Sequence, residues 1–149
     1  GVTVWLKGNR VSRNQIMAIK EESVTEQKNS LAVCLDNILR HAGITRNTEY
    51  DLAQGKTATT ILSENMTGVQ VLDLSGCTLD AVLYYVNQDI PVLAILEDGE
   101  AVLVTGFNEF NVVIMEPSTG KLYKKGMNDA TTWFAENGNH FITYMKTEN

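Results

Sequence analysis

The residues Leu31, Cys34, Leu35, Ile38, Leu39 and Ala42 fall at i, i+3, i+4, i+7, i+8 and i+11, which draws one apolar stripe along a helix. Asn29-Ser30 supplies an N-cap and Gly43 a stop, so the helix has both ends written in the chain. A stripe of that length has to be buried. Whatever else the chain forms must therefore cover one side of this helix.

The elements on either side are less regular. Residues 3–11 alternate around Gly8-Asn9, which predicts a short strand or hairpin. Ser12 followed by Gln15 is a capping-box pattern, predicting a short helix over residues 16–22. Residues 48–67 are polar and helix-prone and predict two short helices, and 69–74 a short strand. A helix over 78–86 places Leu79, Val82, Leu83 and Val86 on one face. From residue 91 the texture changes. Residues 91–96, 101–107 and 111–115 are β-rich runs separated by turns at Asp98-Gly99 and Asn108-Glu109. A turn at Ser118-Thr119-Gly120 precedes a strand over 121–124, a helix is expected over 130–136, and 141–145 reads as a closing strand. Helices first and an antiparallel sheet second make an α+β architecture. The 149 residues fit one compact unit, read as an N-terminal strand/helix extension over 1–24 and a principal domain over 25–149.

Charge excludes some functions. A net charge of −6 and a pI near 4.8, with basic residues scattered and only Lys124-Lys125 adjacent, argue against a nucleic-acid partner. No apolar run approaches the ~20 residues of a membrane-spanning helix, so no direct membrane insertion is expected. Cys34 and Cys77 are too few for a disulfide scaffold or for a zinc site of about four ligands, although one bridge between them is open. Gly55-Lys56-Thr57 looks like the tail of a phosphate loop, but Tyr50 stands where its first glycine is needed. Trp5, Tyr84, Tyr85, Phe107 and Trp133 are too dispersed for a stacking platform. No cofactor and no metal is expected. Because the chain starts at Gly1, it reads as an excised or processed piece.

Two stretches resemble a known family. The segment Gln27-Lys28-Asn29-Ser30-Leu31-Ala32-Val33, running on through Ile38-Leu39-Arg40-His41-Ala42-Gly43-Ile44, is similar to one in which a glutamine precedes a Cys-Gly that opens a central helix. Asp89-Ile90-Pro91-Val92-Leu93-Ala94 and Glu100-Ala101-Val102-Leu103-Val104-Thr105-Gly106-Phe107 look like "G-x-P-V-I-A … H-x-V-V-V-T-G-Y". Val112-Val113-Ile114-Met115-Glu116-Pro117-Ser118-Thr119-Gly120 continues as "V-x-V-x-D-P-x-x-G". In these features the chain resembles the bacteriocin-processing (double-glycine leader) peptidases, a papain-like group. The resemblance implies a papain-like cysteine peptidase fold, with a helical N-terminal half around a central helix and a C-terminal antiparallel sheet. It also implies a bacterial source, and an extracytoplasmic or membrane-tethered location in preference to a cytoplasmic one. In a bacterial protein the sequon Asn65-Met66-Thr67 means little.

Carried over position by position, the resemblance puts Ser30 where the family has its nucleophilic cysteine and Leu31 at the adjoining glycine. Glu100 takes the place of the catalytic histidine, Glu116 that of the orienting aspartate, and Gln27 that of the oxyanion glutamine. Papain-type chemistry needs a thiolate at a helix N-terminus beside an imidazolium. A serine hydroxyl keeps its proton, and a carboxylate near its ordinary pKa of ~4.3 is too weak a base to take it. The competing reading of Ser30 is a plain N-cap. Cys34 lies on the apolar stripe, and His41, on the same face, is about 10 Å away at 1.5 Å per residue. Cys77 sits in a turn with no base assigned to it, and His140 reads as a surface turn residue. If the family geometry holds, Glu100 and Glu116 face one another, and could share a proton or a cation.

The reading that follows is a pseudopeptidase: a peptidase-type domain without competent catalysis that binds a peptide or protein partner. An active hydrolase using Ser30 or a cysteine is one alternative. A structural domain of a larger extracytoplasmic or membrane-anchored protein is another.

Overall fold

The computed structural model describes residues 15, 16 and 29–147. The strand expected over 3–11, most of the helix expected over 16–22, and Gln27 lie outside the described residues.

The apolar stripe forms helix α1, Ser30–His41, with Cys34, Leu35, Ile38 and Leu39 wholly buried. The two ends of the stripe differ from expectation. Leu31 is half-buried, and Ala42, which follows the last helical residue, is exposed. The chain leaves α1 through Gly43, at φ +88°, where the Gly43 N–H bonds to the Arg40 carbonyl at 2.9 Å and the Ile44 N–H to the Leu39 carbonyl at 2.8 Å. That pair of bonds is a Schellman motif, and only glycine adopts this backbone at little cost.

Two short helices follow, α2 (Glu49–Ala53) and α3 (Ala58–Asn65). The loop between α1 and α2 is tied down by Asp36, whose buried carboxylate accepts from the Thr48 N–H at 2.8 Å and the Thr48 hydroxyl at 2.7 Å. Helix α4, Leu79–Val86, is capped by the Thr78 hydroxyl and buries Leu79, Val82, Leu83 and Val86, as the spacing predicts. Helix α5, Met127–Glu136, begins earlier than the expected residue 130, directly out of a strand, and anchors through Ala130 and Phe134.

The strands are β1 (Gln15–Ile16), β2 (Val69–Asp73), β3 (Val92–Ile95), β4 (Ala101–Phe107), β5 (Asn111–Glu116), β6 (Lys121–Gly126) and β7 (His140–Lys146). They build one antiparallel sheet in the order β2-β7-β3-β4-β5-β6, with β1 added to β4. Gln15 and Ile16 thus form a strand, not the start of the expected helix. The reason is tertiary. Strand β3 covers β4 only as far as Val104, and β1 pairs with the Gly106–Phe107 edge beyond it. An edge needing partners outweighs a local capping pattern.

All seven residues of β4 are buried, since α1 and α4 contact this strand and β3 and β5 flank it. The chain is therefore α+β, with α1 laid against the middle of the sheet and the N-terminus of α1 beside the start of β4.

Candidate functional site

The N-terminus of α1 carries two adjacent polar residues with separate tasks. Asn29, at ψ 125°, is outside the helix, and its Oδ1 accepts from the Leu31 N–H at 2.8 Å and the Ala32 N–H at 3.3 Å. Asn29 is the cap. Ser30 is therefore not the plain N-cap that the sequence allowed. As the first helical residue it turns its hydroxyl away from the helix end, and its Oγ accepts from the Ala101 N–H at 2.9 Å. Both residues are buried, so this bond joins the start of the central helix to the first residue of β4.

Glu100 immediately precedes that contact. Its N–H donates to Asp98 Oδ1 at 2.9 Å, and its carbonyl accepts from the Leu96 N–H at 2.8 Å. These bonds, with Gly99 at φ +88°, form the β3–β4 turn and leave the Glu100 side chain exposed. Glu116 closes β5. The ladder pairs Leu103 with Met115, which brings Glu116 opposite Val102, two residues along β4 from Glu100. No hydrogen bond joins the two glutamates. Glu116 Oε1 instead accepts from the Ser118 N–H at 3.0 Å, inside its own turn. Among the described residues, no group of three or more His, Cys, Asp or Glu side chains gathers as a metal site would require.

Of the four positions taken from the resemblance, Ser30 is bonded to the residue after Glu100, Glu116 ends the strand beside β4, and Gln27 lies outside the described residues. Cys34 stands one turn beyond Ser30 on the same face. Burial, and to a lesser degree the charge of Glu116, push its thiol far above the ordinary range, so it stays protonated and unreactive. Cys34 and Cys77 are both free thiols, so the bridge left open by the sequence is not formed. Cys77 is half-buried in the turn before α4.

The histidines are elsewhere. His41 ends α1, with Nε2 3.1 Å from the Asp89 carbonyl and 3.4 Å from Asp89 Oδ2. Asp89 itself sits at φ +67°. His140 is not in a surface turn. It opens β7, half-buried and paired with Ile95, because the strand starts one residue earlier than expected.

A concavity away from these positions was not legible in the sequence. A groove of about 650 Å³ lies at the other end of α1, between His41, Asp89, the α3–β2 loop and the end of β7. Four separate stretches of chain line it. Only the i, i+2 spacing of Tyr144 and Lys146 on one strand could have hinted at it.

No protein-family profile matches the chain, and no curated protein is significantly similar to it. Among solved structures, it is similar to the crystal structure of a presumed C39-like peptidase from Bacillus anthracis. The TM-score is 0.72 at 13% identity, covering 90% of this chain and 98% of the other. The fold is thus that of a papain-like, C39-type peptidase. No helix among the described residues is long and apolar enough to cross a membrane.

Proposed function

We propose that the chain is a pseudopeptidase, a peptidase-type domain that binds a peptide or protein segment without cleaving it. The observation that carries this reading is the bond from the Ala101 N–H to Ser30 Oγ. At the helix end where a papain-like enzyme needs an ionisable nucleophile, the hydroxyl serves as a buried acceptor that holds helix to sheet. The position that the resemblance gives to the catalytic histidine holds Glu100, an exposed carboxylate, which cannot act as the imidazolium that protonates a leaving amine. Cys34 is sealed in the core, and His41 is engaged with Asp89 at the far end of the helix. A papain-like fold that has lost the chemistry can still receive an extended segment between its helical half and its sheet.

Two measurements test this together. The protein is treated with a fluorophosphonate and a peptidyl electrophile and then mapped by mass spectrometry. It is also titrated with peptides from genetically neighbouring products while the amide resonances of Ser30, Glu100 and Ala101 are followed. The expected result is saturable shifts at those residues, with no adduct on Ser30 and no cleaved peptide. An adduct on Ser30 or turnover of a peptide would replace this reading with an active hydrolase, and the absence of any binding would replace it with a structural domain.

A further inference from the structure

The groove at the C-terminal end of α1 brings three features to one space. The first is Tyr144. Its residue is only 3% exposed, yet it lines the groove, and its hydroxyl has no hydrogen-bond partner among the described residues. Its ring is packed in the core while its polar tip is left for an occupant of the groove. Burial and the nearby charge of Asp89 raise its pKa, so the hydroxyl keeps its proton and remains a donor. The second is Lys146, two residues along β7 on the same side of the strand, which is exposed and makes no ion pair among the described residues. The third is an apolar wall made by Ile44, Met66 and Val69.

We propose that this groove binds the free carboxyl end of a short peptide whose last residue is apolar. The carboxylate lies on Lys146 and the Tyr144 hydroxyl, and the last side chain lies against Ile44, Met66 and Val69. The proposal rests on the peptide-binding reading above and places one end of the peptide. A monoanion fits better than a phosphate. The groove offers one unpaired ammonium, and Asp89, its carboxylate 3.4 Å from His41 Nε2, stands beside it and would repel a second negative charge. The apolar wall, next to a donor pair, matches a side chain followed by a carboxylate. At about 650 Å³ the groove has room for a few residues.

The test is an NMR titration of the whole chain with two probes, acetyl-Ala-Ala-Leu as the free acid and the same tripeptide as its amide. The acid is expected to shift the amides of Gly68, Val69, Tyr144 and Lys146 saturably, and the amide to bind at least about tenfold more weakly, because a charge-assisted contact is lost. Tyr144→Phe and Lys146→Met are each expected to weaken the acid about tenfold and to leave the amide nearly unchanged. Tyr144→Phe keeps the buried ring, so its effect is not a folding defect. Equal affinity for acid and amide, or variants that bind the acid normally, would overturn the proposal. Shifts confined to Ser30, Glu100 and Ala101 would also overturn it while leaving peptide binding in place. A silent titration with both probes removes the groove as a carboxylate site, and the titration with neighbouring gene products still decides the broader reading.

Discussion

Removing the Ser30 hydroxyl would leave the Ala101 N–H, at 1% exposure, with no acceptor. An orphaned buried donor costs about 1–3 kcal/mol. Ser30→Ala should therefore lower the unfolding free energy by that amount in urea titrations, with an unchanged denaturant slope. A loss below ~0.5 kcal/mol would mean that the bond contributes little, and the structural role assigned to Ser30 would have to be given up. Ser30→Cys should fall between the two, since sulfur is a weaker acceptor on a longer bond. How far the site was legible is clearest at this position. The helix start could be located from Asn29-Ser30 and Gly43, because capping chemistry is local. Which of the two polar residues did the capping could not, since both are good caps. The choice was made by Ala101, a partner 71 residues away.

At the scale of elements, local patterns succeeded where one face of a segment meets the core, and failed where an edge needed a neighbour. The stripe through Cys34, Leu35, Ile38 and Leu39 became α1, and the run 101–107 became β4 without a change of bounds. Gln15 and Ile16 went the other way, drawn into the sheet by the open edge at Gly106 and Phe107. The exit from α1 provides a clean element-level test. A Cβ at Gly43 would meet nothing within 4 Å, so Gly43→Ala carries backbone strain alone. The left-handed region costs an L-residue about 1–2 kcal/mol, and thermal unfolding should register a loss of that order. Asn tolerates this conformation better than Ala, so Gly43→Asn should lose less. If alanine is accepted without loss, the Schellman motif does not fix the end of α1, and the position of His41 and Ile44 at the groove must be set by other contacts.

Over the whole molecule, sheet order and charge act together. Pairing of β2 with β7 brings residues 69–73 beside the last strand, closing the core and forming one wall of the groove. Because that pairing is long-range, no window of sequence displays it. The chain carries a net charge of −6, so its stability in acid depends on which carboxylates have folded-state partners. Among the described residues, two are held below their ordinary range. Asp51 is lowered chiefly by its paired bonds from Arg46 Nε at 3.0 Å and Nη2 at 2.9 Å, and Asp73 by the hydroxyl and N–H of Ser75. A carboxyl with a lowered folded pKa is protonated first in the unfolded chain. Its contribution is therefore present above the unfolded value of about 3.9 and is lost as pH falls through the folded value. The melting temperature should accordingly fall as pH drops below about 4. Asp51→Asn should be less stable than the parent at pH 7 and should show a shallower fall in acid. The two should converge as pH falls through the folded pKa of Asp51, where its carboxyl in the parent is protonated as well. Were the gap between parent and variant to persist undiminished through the whole acid transition, the charge on Asp51 would not be its source, and the link from α2 to Arg46 would have to be a matter of neutral hydrogen bonding and packing.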